Sequence, residues 1–426
     1  MYVLDSSFVI DRKILGTSKH LLSENKTYKW TADIAQNVWH LTGHIKNDSD
    51  RCLDTLFQLN GIEIDIKPPQ RFIKAMDSLM SGSTAWPPPW QKVMPKVAHR
   101  TFAETLLHKV TEGLERSSKD YYDRVWVPGN NLLRSLQQAR VDNQRWESLI
   151  AANKGNVAAI RSFEPDANGF ASQVVYDRFG TVTGRPLVAS GPQILTLKKE
   201  HRNLLTSRWG EDGQLIIVDF AALEARVLLY EAGKRCDNPD MYSEINNDLF
   251  NGSANRNDVK GAVISELYGQ SKRMLGERLG IKGKHLNFFV SKIKGYFRTE
   301  TLMKRVKQQF VENGYLLNRY GRRVVVDNPV DHVFVNYYAQ SSGADVAMLG
   351  FNEMLQQLSG YRVAPIFLIY DAIILDCHKS AVDAVNAVKT VNVDGYVQRF
   401  FLRAEPVGCT HVSEEVHFQN EERINA

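Results

Sequence analysis

The 426-residue sequence is poor in the features that mark several large protein classes. Its four cysteines, Cys52, Cys236, Cys377 and Cys409, are scattered, with no C-x-x-C spacing. That argues against a disulfide framework or a thiolate zinc site and fits a reducing compartment. No apolar run is long enough to span a membrane. Residues 1–13 contain Asp5 and Asp11 and lack a cationic leader ahead of an apolar stretch. The expectation is a soluble, cytoplasmic chain without signal peptide or membrane partner, an organelle being left open. Internal repeats and low-complexity segments are missing as well. Net charge is only +5, a weak pointer to nucleic acid. A metal-dependent nuclease needs clustered acids on a strand, such as D-x-E, whereas Asp5 is followed by two serines. Residues 1–120 therefore receive no role, and no nuclease activity is assigned to them.

What is present reads as a large globular chain, long enough for about two to three structural units. A short strand is expected at 2–5 and helices at 50–59, 69–79 and 102–114, the last with a stripe of Phe102, Leu106, Leu107 and Val110. The breaker-rich stretch 81–90 reads as a connection. Helical segments follow over 132–153, then strand and turn around Thr183-Gly184-Arg185. Residues 214–220, Gln-Leu-Ile-Ile-Val-Asp-Phe, are a β-branched apolar run that delivers Asp219 to the exposed end of a buried strand. A helix N-cap is the other reading of Asp219. A helix over 221–232 carries Glu224 and Arg226. Further on, the pattern predicts one long helix over 288–310, a basic hairpin at 314–326 and a helix over 336–355 with Asn336, Gln340 and Asp345. Residues 365–376 read as two apolar strands meeting at Tyr370-Asp371, and 401–407 as an edge-like strand. An acid at the tip of an apolar hairpin calls for a cation, supplied by a metal or by a structural salt bridge.

The most informative stretch is 256–269. Arg256, Lys260, Ile264 and Tyr268 fall four apart, so on a helix they occupy neighbouring turns of one face. Asn255 or Ser253 suits an N-cap and Gly269 a stop. Cations at the helix start and apolar groups beyond suit a nucleotide, phosphates first and base after. Between 272 and 307 the cations Lys272, Arg273, Arg278, Lys282, Lys284, Lys292, Lys294, Arg298, Lys304, Arg305 and Lys307 face only Glu277 and Glu300. A solvated face and a phosphate-tracking surface both fit this run. Two isolated acids, a cationic helix and basic hairpins together suit joining a nucleoside triphosphate to a nucleic-acid end. That chemistry rests on positioning and charge neutralisation by two divalent ions.

In these pieces the chain resembles the family A DNA polymerases, the bacterial polymerase I type. Asp219-Phe-Ala-Ala-Leu-Glu224-Ala-Arg226 looks like their motif A. Residues 256–269 have the R-x-x-x-K-x-x-x-x-x-x-x-Y-G spacing of motif B, and Ile369-Tyr370-Asp371-Ala372 looks like motif C. Thr183-Gly184-Arg185, Tyr320-Gly321-Arg322-Arg323, the Asn336/Gln340 helix and the tail at 407–414 match in order, so the resemblance covers about 125–420.

It implies an α+β right hand: thumb at 121–175, palm with an antiparallel sheet at 176–230 and 331–426, helical fingers at 231–330. A small, mostly helical region would occupy 1–120. It also implies two Mg²⁺ ions (Mn²⁺ as alternative) on Asp219 and Asp371. Lys260 and Arg256 would hold the triphosphate, with Lys260 as proton donor, and Tyr242 would stand at the place of a phosphate-binding His. Tyr268 and Ile264 would lie beside the incoming nucleotide, and Glu224 would exclude a 2′-hydroxyl. Arg185, Asn336, Gln340 and Arg322 would touch DNA. The implied partners are primer–template DNA, dNTPs and a processivity or replisome protein. Tyr370 and Ala372 stand where the family usually has His and Glu, and Ile264 replaces an aromatic residue. Two other readings compete: a single-subunit phage-type RNA polymerase, disfavoured by Glu224 and the Thr183-Gly-Arg185 turn, and a non-catalytic nucleic-acid-binding relative, disfavoured by the intact acids and Lys260.

Overall fold

The computed structural model describes residues 7–24, 27–33, 37–42, 51–83, 86–152, 156–269 and 272–407. The strand expected at 2–5 and the tail at 408–414 lie outside these. The chain divides into two compact units, Met1–Val127 and Pro128–Ala426.

In the first unit, strand β1 (Phe8–Ile10) pairs antiparallel with β2 (His20–Glu24) and parallel with β4 (Trp39–Leu41); β3 (Thr27–Thr31) extends the sheet beyond β2. Helices α1 (Leu53–Leu59), α2 (Gln70–Met80) and α3 (Lys96–Arg116) follow. Helix outweighs strand, but the four-stranded sheet was not expected from the sequence. Its strands are three to five residues long and β3 is mostly exposed, so the sheet leaves no period-2 pattern to read. Helix α3 buries Phe102, Leu106, Val110 and Leu114 in one stripe, at spacings of four.

The second unit is built on a five-stranded antiparallel sheet. Its strands are β5 (Gly213–Phe220), β6 (Val363–Ile369), β7 (Ala372–His378), β8 (Thr390–Asn392) and β9 (Arg399–Pro406), in the order β6-β7-β5-β9-β8. β5 is the middle strand and buries both faces, which is why its sequence is a continuous apolar run. β9 pairs with β5 and β8, so the stretch expected at an edge is internal.

Around the sheet lie α4 (Leu223–Glu231), α5 (Met241–Phe250), α6 (Arg256–Tyr268), α7 (Lys272–Leu279), α8 (Gly283–Phe297), α9 (Thr299–Asn313) and α10 (Asp331–Gln357). The helix expected over 288–310 is two helices. Arg298, at φ 47°, ends α8 in the left-handed region, a position more often taken by glycine. Helix α4 starts at Leu223 rather than 221, because Ala222 is also left-handed at φ 55°.

The 27-residue α10 packs on the sheet through Phe351, whose ring is 4.9 Å from that of Phe220. Gly350 permits this approach: a Cβ there would lie 2.6 Å from the Phe220 ring and 3.1 Å from Val391. Gly350→Ala is expected to lower stability by about 1–3 kcal/mol, read as a lower denaturant midpoint. An unchanged midpoint would show slack between helix and sheet.

Candidate active site

Asp219 is the penultimate residue of β5, and the sheet register sets it opposite Ala372 on β7 and Arg403 on β9. Its successor Phe220, opposite Leu402, turns to the other face, where it meets Phe351. Alternation therefore keeps Asp219, Ala372 and Arg403 together on the face away from α10. Asp371 occupies the two-residue turn joining β6 to β7, and its carbonyl accepts the Phe220 N–H at 3.1 Å. The two acids expected to act together, 152 positions apart in sequence numbering (371 − 219), thus sit at adjoining strand ends, both half-buried. Tyr370 holds φ 56° in this turn, a left-handed conformation unusual for a bulky residue.

Glu224, in the first turn of α4, accepts hydrogen bonds from Arg185 on one carboxylate oxygen and from the Tyr268 hydroxyl on the other. Arg185 also lies over the Tyr370 ring, 5.7 Å from its centroid. Burial opposes the charge on Arg185, but Glu224, Tyr268 and Asp371 outweigh it and raise its pKa. Burial first, and then the Glu224 charge, push the Tyr268 hydroxyl well above its usual value, so it remains a proton-bearing donor. Three of the expected site residues, from separate segments, are thereby locked together beside Asp371.

Helix α6 is built as its sequence suggests. Asn255 caps it by accepting the Asn257 N–H at 2.8 Å, and Gly269 ends it at φ 70°. Ile264 is 9% exposed; Arg256 and Lys260 are half-buried. Arg256 donates from Nε to Asp240 at 2.7 Å, and its guanidinium stands 5.6 Å from the ring of the buried Tyr242. Burial would raise the Asp240 pKa, but hydrogen bonds from Arg256 and Ser243 hold it down at about 2. Asp240 was not singled out in the sequence.

Asn336 and Gln340 lie on the same face of α10 as Gly343, where a Cβ would stand 3.2 Å from Glu224 Cγ. The Asn336 Oδ1 is buried without a hydrogen-bond partner among the described residues. Arg322 departs from expectation. It is 5% exposed, donates to the Arg178 carbonyl at 3.1 Å and lies 2.5 Å from where a Gly184 Cβ would be. It braces the Thr183-Gly-Arg185 turn, which only glycine at φ 78° accommodates, and is not placed for a surface contact with DNA. Arg403 went unremarked in the sequence, because its place beside Asp219 depends wholly on strand register.

Among the described residues no group of three or more His, Cys, Asp or Glu gathers for a metal. Two carboxylates remain, Asp219 and Asp371, a hard oxygen donor set. That suits a divalent ion completing its shell with substrate phosphates and water.

Residues 173–398, more than half of the chain, match the model of DNA polymerase family A. The chain belongs to this family. The DNA polymerase of Mycobacterium phage L5 is 33% identical over 141 residues, covering 30% of this chain and 22% of the phage protein. That of Bacillus phage SP01 is 23% identical over 254 residues, covering 49% and 27%. The matches thus span about a quarter of these relatives' length. In fold, the chain is similar to the POL domain of Pol1 from M. smegmatis, solved with DNA primer-template and dNTP. The TM-score is 0.56 at 12% identity, covering 94% of this chain and 95% of that one. The family A fold implies use of a divalent metal. No helix among the described residues is long and apolar enough to cross a membrane.

Carboxyl NMR is expected to show Asp240 titrating near 2, against 3.8 for an ordinary aspartate. Because its folded-state pKa is depressed, the stability it lends is present above the unfolded value and lost as pH falls toward 2. Arg256→Ala should return the titration toward the ordinary range. A wild-type titration near 4 would mean the pair does not persist in solution.

Proposed function

We propose that the chain is a template-directed DNA polymerase, adding deoxynucleotides to a primer 3′ end by phosphoryl transfer. The observation that carries this reading is the meeting of Asp219 and Asp371 at adjoining strand ends, in a chain of family A. The two carboxylates would hold a pair of Mg²⁺ ions, with Mn²⁺ as a substitute. Divalent ions held by these two carboxylates would supply Lewis-acid chemistry, activating the attacking 3′-hydroxyl and neutralising charge on the leaving pyrophosphate. Arg256 and Lys260 neutralise the triphosphate, with Tyr242 beside Arg256, and Lys260 gives a proton to the leaving pyrophosphate oxygen. Ile264 and Tyr268 border the nucleotide.

Glu224, held by Arg185 and Tyr268, presents its side chain where a 2′-hydroxyl would enter and so favours deoxyribose over ribose. Asn336 and Gln340, with Arg185, face the primer–template minor groove, where acceptors shared by all base pairs permit sequence-independent contact. In this reading 121–175 is the thumb, 176–230 and 331–426 the palm, and 231–330 the fingers.

Primer extension on a defined template, with dNTPs and rNTPs offered separately, tests the proposal. Asp371→Ala should reduce extension by about a thousandfold or more while DNA binding persists. Preference for ribonucleotides, or an active Asp371→Ala protein, would overturn it. Ile264→Tyr should change the ratio of dideoxy to deoxy incorporation, because an aromatic ring packs differently on sugar and base than an aliphatic side chain. An unchanged ratio would remove Ile264 from the nucleotide pocket.

A further inference from the structure

The cation run at 272–307 is only partly explained by internal pairing. Arg273 pairs with Glu277 at 2.9 Å, Lys294 with Glu266 at 3.7 Å, Arg305 with Glu231 and Lys307 with Asp331, each at 2.7 Å. A second set projects outward from α8. Lys284, Phe288 and Lys292 are spaced by four, so they form one stripe along the helix, and all three are exposed. Phe288 is 59% exposed, and the Lys292 ammonium lies 5.3 Å from its ring centroid. Its neighbour Phe289 instead points inward and stacks on Phe250, with ring centroids 4.5 Å apart.

Neither packing nor helix stability accounts for the stripe. The core takes Phe289 and leaves Phe288 in water, although burial of an aromatic side chain is favourable. Lys284 stands in the first turn, and Lys282 just before it, where the helix dipole disfavours cations; that turn holds no acidic residue. An outward aromatic ring with an ammonium one turn away on either side suits a flexible polyanion bearing flat rings. A base stacks on the ring while the flanking phosphates meet the lysines.

We propose that the Lys284–Phe288–Lys292 face of α8 is a docking platform for single-stranded DNA, separate from the Asp219/Asp371 centre. Duplex DNA fits it poorly, because paired bases are already stacked and offer no open ring face. The platform recognises any base, since every base has a π face.

The test uses the full chain and a single strand of about 20 thymidines, followed by fluorescence anisotropy at several salt concentrations. Replacing all three residues by alanine should weaken single-strand binding about tenfold or more, since stacking alone contributes about 1–3 kcal/mol per base. It should also flatten the salt dependence by about 1.4 in log–log slope, two phosphate contacts at about 0.7 each. Affinity for a blunt duplex should not change, and because the residues are exposed the thermal midpoint should not move. A strand carrying 5-bromodeoxyuridine should photocrosslink to the wild-type peptide containing Phe288.

Equal loss on single strand and duplex, no loss on either, or crosslinks confined to other peptides would overturn the proposal. An acidic protein segment as the true partner would give no crosslink and no response to Phe288→Ala alone. None of these readouts requires nucleotide addition. A protein that binds single strands as described yet extends no primer would refute the polymerase reading alone.

Discussion

The antiparallel register between β5 and β7 is the constraint on which the site depends. Strand side chains alternate with a period of two, so a slip of one residue would send Asp219 into the apolar layer beneath α10 and Phe220 into the site. The slip is opposed on both faces. Phe220 is held against Phe351, with Gly350 allowing the helix to come close, and Ile217 and Ile374 lie in the core cluster on the other face. The same register carries Asp371 around the tight Tyr370 turn to the end of β5. An acidic pair at the sheet margin is thus positioned by the apolar packing of the strands that carry it.

Around that pair, polar groups join segments distant in sequence. Glu224 receives Arg185 from the 183–185 turn and Tyr268 from α6, and Arg185 in turn lies over Tyr370. Arg226, two residues further along α4, is wholly buried. Its guanidinium is satisfied by the carbonyls of Ala221, Cys236, Asn238 and Pro239 rather than by a carboxylate. It therefore fixes the loop leading to Asp240, and Asp240 orients Arg256. A guanidinium is planar with five donors and suits such bracing where an ammonium would leave carbonyls unmet. Arg322 acts likewise beneath Gly184, which shows why a basic residue in a familiar motif need not face the ligand.

The parts of the fold legible in the sequence were those governed by local rules. The cap and stop of α6 followed from Asn255 and Gly269, the buried strand from the apolar run before Asp219, and the hairpin from two apolar runs meeting at Tyr370-Asp371. The misreadings have a common origin. Arg298 and Ala222 adopt left-handed conformations that their residue types do not announce, so helix breaks there are set by surrounding contacts. The N-terminal sheet is built of strands too short for periodicity to register, and β9 became internal because β8 covers its outer edge.

By itself, the sequence determined which residue types stand at which spacing. Carboxylates, cations and aromatics at motif spacing state what a site can do, and short-range spacing on a helix or hairpin is enough to state it. Only the tertiary structure decided which of them meet. It made Glu224 a junction, paired Arg256 with Asp240, buried Arg322, set Arg403 beside Asp219 and left Phe288 in solvent. The physical reason is that strand register and the burial of a charge depend on contacts between residues far apart in the chain, and no local pattern records them.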